Sequence, residues 1–144
     1  MAYYILSAVI AIFLLYETYN LISSIVAMGW NKVSGKIENW DMYYNTHSEG
    51  TDLVVNKLEY SYLVSGNRYH SKRVGFGFPW LMPSMFVSRT IEKVLERAPE
   101  STIYYGPKSP GHSTLVVGIK SFHVIKISIY GIIFAVFLNE ANAL

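Results

Sequence analysis

At 144 residues the chain has the length of a single domain, and a net charge of +2 without any Lys/Arg-rich stripe argues against nucleic acid as a partner. Charged residues are only 15% and apolar ones 51%, with a mean hydropathy of +0.24, a balance that points to membrane segments rather than to a richer soluble core. The absence of cysteine excludes a disulfide framework and any thiolate metal site.

The first element is an apolar run from Ala2 to Met28 carrying one charge, Glu17. A helix of that length spans about 40 Å, more than the ~30 Å of a hydrocarbon core. Tyr3 and Tyr4 at one end and Trp30 at the other stand where aromatic belts form. A cleaved signal peptide is the competing reading, but no Lys or Arg precedes the run and it exceeds a signal h-region in length. Residues 2–28 are therefore read as a retained transmembrane helix. Within it Phe13, Glu17, Asn20, Ser24 and Ala27 fall on one stripe at steps of three and four. A carboxylate at membrane depth costs about 2.5 kcal/mol or more, so Glu17, Asn20 and Ser24 form a candidate intramembrane polar or partner-binding set.

The middle, residues 29–121, reads as a β-rich module. Asn31 to Tyr44 alternates loosely around Gly35. From Asp52 a second run places Leu58, Tyr60, Tyr62 and Val64 on one face and Lys57, Glu59, Ser61 and Leu63 on the other. Ser65-Gly66-Asn67 then turns the chain into a third run ending near Phe76, a hairpin by pattern and turn chemistry. Arg68, Lys72 and Arg73 make a basic edge that reads as a solvated strand face or as a contact for anionic lipid or an acidic partner. The aromatic stretch Gly75 to Phe86, with Phe76, Phe78 and Trp80, suits either the headgroup region or the cover of a small sheet. Ser88 or Thr90 caps a short helix through Arg97, with Ile91, Val94 and Leu95 at helical spacing and Ala98-Pro99 as its stop. Ile103 to Tyr105 and Thr114 to Val117 are short strands, with turns expected at Gly106-Pro107 and at Pro110-Gly111.

Residues 122–138 form the second apolar run, about 25 Å as a helix. Lys126 in its first turns can extend its ammonium to the headgroups, and Ser128, Gly131 and Ala135 give a small-residue face for packing another helix. Counting depth from the module, Glu17 lies about 16 Å in and Lys126 about 6 Å, so they meet only by reaching. The count favours an oligomer partner, another protein or water for Glu17, with a protonated carboxyl hydrogen-bonded to a neighbouring helix as the plain structural reading. All Lys and Arg lie between Lys32 and Lys126, which places the module on the cytoplasmic side.

At these residues the chain acquires a resemblance. Trp30 after the first span, then Val33, Gly35 and Ile37, then Tyr60-Ser61-Tyr62, Val64, Gly66 and Tyr69, then Ile103 to Pro110 resemble the DUF3592 family of small, mostly bacterial membrane proteins. The likeness covers about Trp30 to Leu115 and departs at Gly106, where the family has Asn or Asp. It implies a bacterial inner-membrane location and a shared fold, and brings no catalytic residue or cofactor.

No chemistry stands out elsewhere. His47, His70, His112 and His123 lack metal-ligand spacing, no serine sits in an elbow motif, and Gly75-Phe76-Gly77 lacks the rest of a dinucleotide fingerprint. The expected protein is a membrane α+β chain, two transmembrane helices bracketing a small antiparallel β-rich module with one short helix. It is expected to bind rather than catalyse, with no cofactor and no metal. Its partners would be membrane lipid and another membrane protein or toxin, with a homo-oligomer as a further possibility. An immunity-type protein neutralising a membrane-targeting toxin is the concrete form of that expectation, and a proton-coupled or transport subunit using Glu17 is the alternative.

Overall fold

A computed structural model describes residues 2–47, 50–78 and 88–142. Helix α1 runs Ala2–Val26 and tightens into a 3-10 turn at Ala27–Gly29. Five strands follow, β1 Asn31–His47, β2 Gly50–Val64, β3 Asn67–Ser71, β4 Glu100–Gly106 and β5 Ser109–Thr114, with helix α2, Ser88–Leu95, between β3 and β4. Helix α3, Ser121–Asn142, runs four residues past Leu138. Both long helices are long and apolar enough to cross a membrane.

The strands form one antiparallel sheet in the order β3-β2-β1-β4-β5. Its two edges come together. Gly75 and Val116 form a parallel bridge just past β3 and β5, and the amides of Leu115 and Val116 donate to the Val74 carbonyl at 3.1 and 2.8 Å. The sheet is thereby curled into a barrel with the cyclic order β1-β2-β3-β5-β4 and a helix between β3 and β4, the connectivity of OB-fold barrels. Gly35 sits on β1, which pairs with both β2 and β4. A Cβ there would lie 2.6 Å from the Ser61 carbonyl and run into Ile103, so only glycine permits the close packing.

Four of the twelve tyrosines, Tyr60, Tyr62, Tyr69 and Tyr105, pack in or against the barrel interior. Leu58, Tyr60 and Tyr62 point inward from β2 as their alternation requires, joined by Ile37, Ile103, Leu115 and, from α2, Ile91 and Val94. Tyr62 stacks with Tyr69 and Tyr105 at 5.6 and 6.3 Å. Such rings fill volume while their hydroxyls find partners across the barrel. Tyr60 donates to the Arg73 carbonyl at 2.9 Å and lies 3.1 Å from Ser113 Oγ, and Tyr62 donates to the Pro110 carbonyl. Burial pushes the Tyr60 phenol up to about 12.

Several expectations are refined. The turn Ser65-Gly66 is present, both residues at positive φ, joining Val64 to Asn67. Thr90 lies inside α2 and is not its cap. Pro110 and Gly111 belong to β5, on the far side of β4 from β1, where the pairing with β4 jumps from Gly106↔Ser109 to Tyr105↔Ser113. The second expected turn is thus a bulge in an edge strand, where a residue without an N–H is tolerated. β1 and β2 extend through residues that the alternation left unassigned, and pair with each other up to His47↔Gly50.

α1 and α3 pack antiparallel, so Ala2 and Asn142 lie at the end away from the barrel. The seam uses the expected stripe of α1, with Glu17, Asn20, Ser24 and Ala27 buried, and Ser7, outside that stripe, is buried as well. Phe13 stacks on Tyr130 at 5.8 Å, and Tyr3 meets Phe137 at 6.2 Å. On α3 the facing residues are therefore Lys126, Tyr130 and Phe137, and the small-residue face turns away from α1. Ser128 and Ala135 are exposed, and a Cβ on Gly131 would meet nothing.

Candidate functional site

Where the helices enter the barrel, polar groups that the sequence scatters come together. The connector after β5 runs alongside α1, and the Gly118 amide donates to the Ser24 carbonyl at 2.9 Å while Ser24 Oγ donates to the Gly118 carbonyl at 3.0 Å. Gly118 holds φ +82, a conformation open to glycine. This contact ties the connector, three residues before α3, to Ser24, a full turn of α1 in from Met28. From Ser121 to Lys126 is then about 7.5 Å of helix, and from Ser24 to Glu17 about 10.5 Å, leaving a gap that a lysine side chain spans.

Lys126 Nζ accordingly lies 2.9 Å from Glu17 Oε1, with both side chains largely buried. This corrects the depth count, which favoured other partners for Glu17 by assuming that both spans start in one plane. Lys126 also donates to the Gly77 carbonyl at 2.8 Å. Gly77, at φ +61, presses so close to α1 that a Cβ would stand 2.9 Å from the Asn20 Cβ. One ammonium therefore ties α1, α3 and the segment that closes the barrel. Around it Glu17 Oε2, Asn20 Nδ2 and both ring nitrogens of His123 are buried with no hydrogen-bond partner among the described residues.

The aromatic segment packs inward along its described part. Phe78 is buried edge-on to Phe122 at 5.8 Å, and Phe76 lies edge-on to Trp30 at 5.7 Å. Phe78 is thus packed at the helix–barrel junction, and Phe76 beside it is half-buried. Trp80 lies outside the described residues.

The basic edge divides. Lys72 pairs with Glu59 at 2.8 Å, and this ammonium holds the Glu59 carboxyl below its usual range. Arg68 stands near Glu38, whose carboxyl is held low first by the Ser61 hydroxyl donating at 2.6 Å, with His70 Nδ1 at 3.4 Å. Arg73 lies over the Phe76 ring at 5.0 Å. No cluster of three or more metal-ligating side chains occurs among the described residues.

Sequence reasoning found Glu17, Asn20 and Ser24 as a set but missed Gly77 and Gly118, whose roles depend on the path of the connecting segments. It read Asn31–Tyr44 and the run from Asp52 as strands but did not foresee that their far ends form an arm. Beyond Ile37 and Tyr60 these strands pair only with each other among the described residues, with Trp40 and Tyr43 exposed at 42% and 47%.

No family model, no curated protein and no solved structure matches the chain.

Proposed function

We propose that this chain is a membrane-anchored binding protein: two spans hold the barrel at a bilayer surface, and the β1–β2 arm engages a second protein. The observation that carries this reading is the arm. From Glu38 to His47, at ~3.3 Å per residue, it reaches about 30 Å past the shared part of the sheet. An isolated two-stranded ribbon is marginally stable and leaves both outer edges free to pair. Strand addition by a partner supplies the missing hydrogen bonds, and exposed aromatic side chains give such a contact its anchors. Register shifts after Ile37 and after Asp41 twist the arm, which suits a docking surface better than a sheet interior.

Membership in the DUF3592 family, a bacterial inner-membrane location and a cytoplasmic barrel belong to the same proposal. Gly35 and the Tyr60–Tyr62–Tyr69 set support the family reading by their packing roles. Lys32, Lys36, Lys120 and Lys126 near the span ends support the orientation. In its concrete form the partner is a membrane-targeting toxin encoded beside this protein, and loss of the gene then sensitises the cell to it. Unchanged sensitivity removes that version.

The direct test replaces residues 41–57 with Asn-Gly, which closes the hairpin at the Trp40↔Leu58 pair, keeps Leu58 in the core and leaves the barrel pairing intact. The shortened chain is expected to extract from membranes folded and to lose its co-purifying protein. Retention of that protein by the shortened chain overturns the arm as the binding element.

A second reading, a proton-coupled subunit, is favoured by the burial of Glu17, His123 and Lys126 together with unpartnered polar atoms. Glu17→Gln should then abolish a pH-dependent flux, and a flux that survives removes this reading.

A further inference from the structure

A groove of about 950 Å³ runs along the junction on the outward side of α1. Tyr16, Tyr19 and Ile22, all exposed, form one wall, and Phe76 forms the other. Two features give it polarity. At the barrel end Arg73 is exposed, and no carboxylate of the described residues lies within ion-pair distance of it, while the neighbouring Lys72 is already paired with Glu59. In the lining stands Asn20, only 5% exposed, whose Nδ2 has no acceptor among the described residues.

We propose that this groove binds one anionic glycerophospholipid. The inference rests on the membrane reading above and names a partner for the helix–barrel junction. The phosphate sits on the Arg73 guanidinium, which presents a fork of donors matched to phosphate oxygens. An ester carbonyl takes the Asn20 amide, and an acyl chain lies along Tyr16, Tyr19 and Ile22. The aromatic residues and the cation are those that membrane–water interfaces select. An acidic peptide fits less well, because the wall along α1 is mostly aromatic and aliphatic, carries no cation, and continues into the exposed apolar surface of that helix.

The test is native mass spectrometry of the full chain released from nanodiscs containing equal phosphatidylglycerol and phosphatidylcholine. The expected result is one retained phosphatidylglycerol per chain. Arg73→Ala should weaken that retention about fivefold, while Lys108→Ala, in the turn between β4 and β5, leaves it unchanged. Equal retention of the two lipids, or an Arg73→Ala chain that retains phosphatidylglycerol as the native one does, overturns the proposal. So does displacement of the lipid by inorganic phosphate at equal concentration, which would make the groove a site for the free anion. A chain that never enters the nanodisc refutes the membrane reading instead, so the two failures are distinguishable.

Discussion

Lys126 joins three parts of the molecule through one ammonium, and its removal should be felt at all of them. Lys126→Met leaves the Glu17 carboxylate buried without a cation, a change that costs about 3–5 kcal/mol where one member of a buried pair is deleted. Removing both, as Glu17→Leu with Lys126→Met, should cost far less than the sum of the single changes. Unfolding in detergent micelles gives the cycle, and additive losses would deny the coupling. Tyr60 makes a second residue-scale prediction. Its phenol is raised from the ordinary 10.0 to about 12 in the folded chain, so the unfolded chain ionises first. Its contribution is full below pH 10 and is lost as pH rises from 10 to about 12. Tyr60→Phe should cost about 1–3 kcal/mol at pH 7, through the hydrogen bonds to Arg73 and Ser113, and flatten that alkaline loss. Denaturant midpoints measured across this range decide it. The polar stripe itself was legible in the sequence, because helical spacing is local. The pairing of Glu17 with Lys126 was not, because it depends on how far down α1 the connector at Gly118 begins α3.

Among the elements, legibility tracks how local the determining interaction is. The β2–β3 hairpin could be read because strict alternation and the Ser65-Gly66 turn lie within a few residues of one another. α2 was visible through Ile91, Val94 and Leu95, which share one helical face. Both strands of the β1–β2 arm were read over most of their length, but not that their far ends project as a ribbon, because that depends on where β4 and β3 stop pairing at Lys36 and Tyr60. Pro110-Gly111 resembled a turn for a related reason. An edge strand accepts both residues, and only the position of β5 beside β4 shows that it is one. Gly35 yields the clearest test at this scale. Gly35→Ala puts a methyl group against the Ser61 carbonyl and Ile103, and should destabilise the barrel by about 1–3 kcal/mol. Gly131→Ala, on the open face of α3, should be silent. Thermal unfolding followed by the tyrosine near-UV signal compares the two, and equal effects would contradict the packing.

For the whole molecule, two long apolar runs and the alternation between them foretold two apolar helices around a β-rich middle, because such patterns need no tertiary information. Barrel closure was beyond them. The parallel bridge at Gly75 and Val116 joins segments about forty residues apart, and the hydroxyls of Tyr60 and Tyr62 complete it across the interior. Closure seats a barrel on a helix pair, with Lys126, Ser24 and Gly118 fixing how it sits. The membrane proposal requires the outward faces of both helices, which are apolar, to be solvated by acyl chains. The chain contains no cysteine, so single nitroxide labels can be introduced without background. Labels at Ile12 and Ile132, 67% and 65% exposed, should collide with oxygen far more often than with a water-soluble nickel complex in reconstituted vesicles, and a label at Leu63 on the barrel should do the reverse. Nickel collisions at Ile12 and Ile132 as frequent as at Leu63 would contradict it.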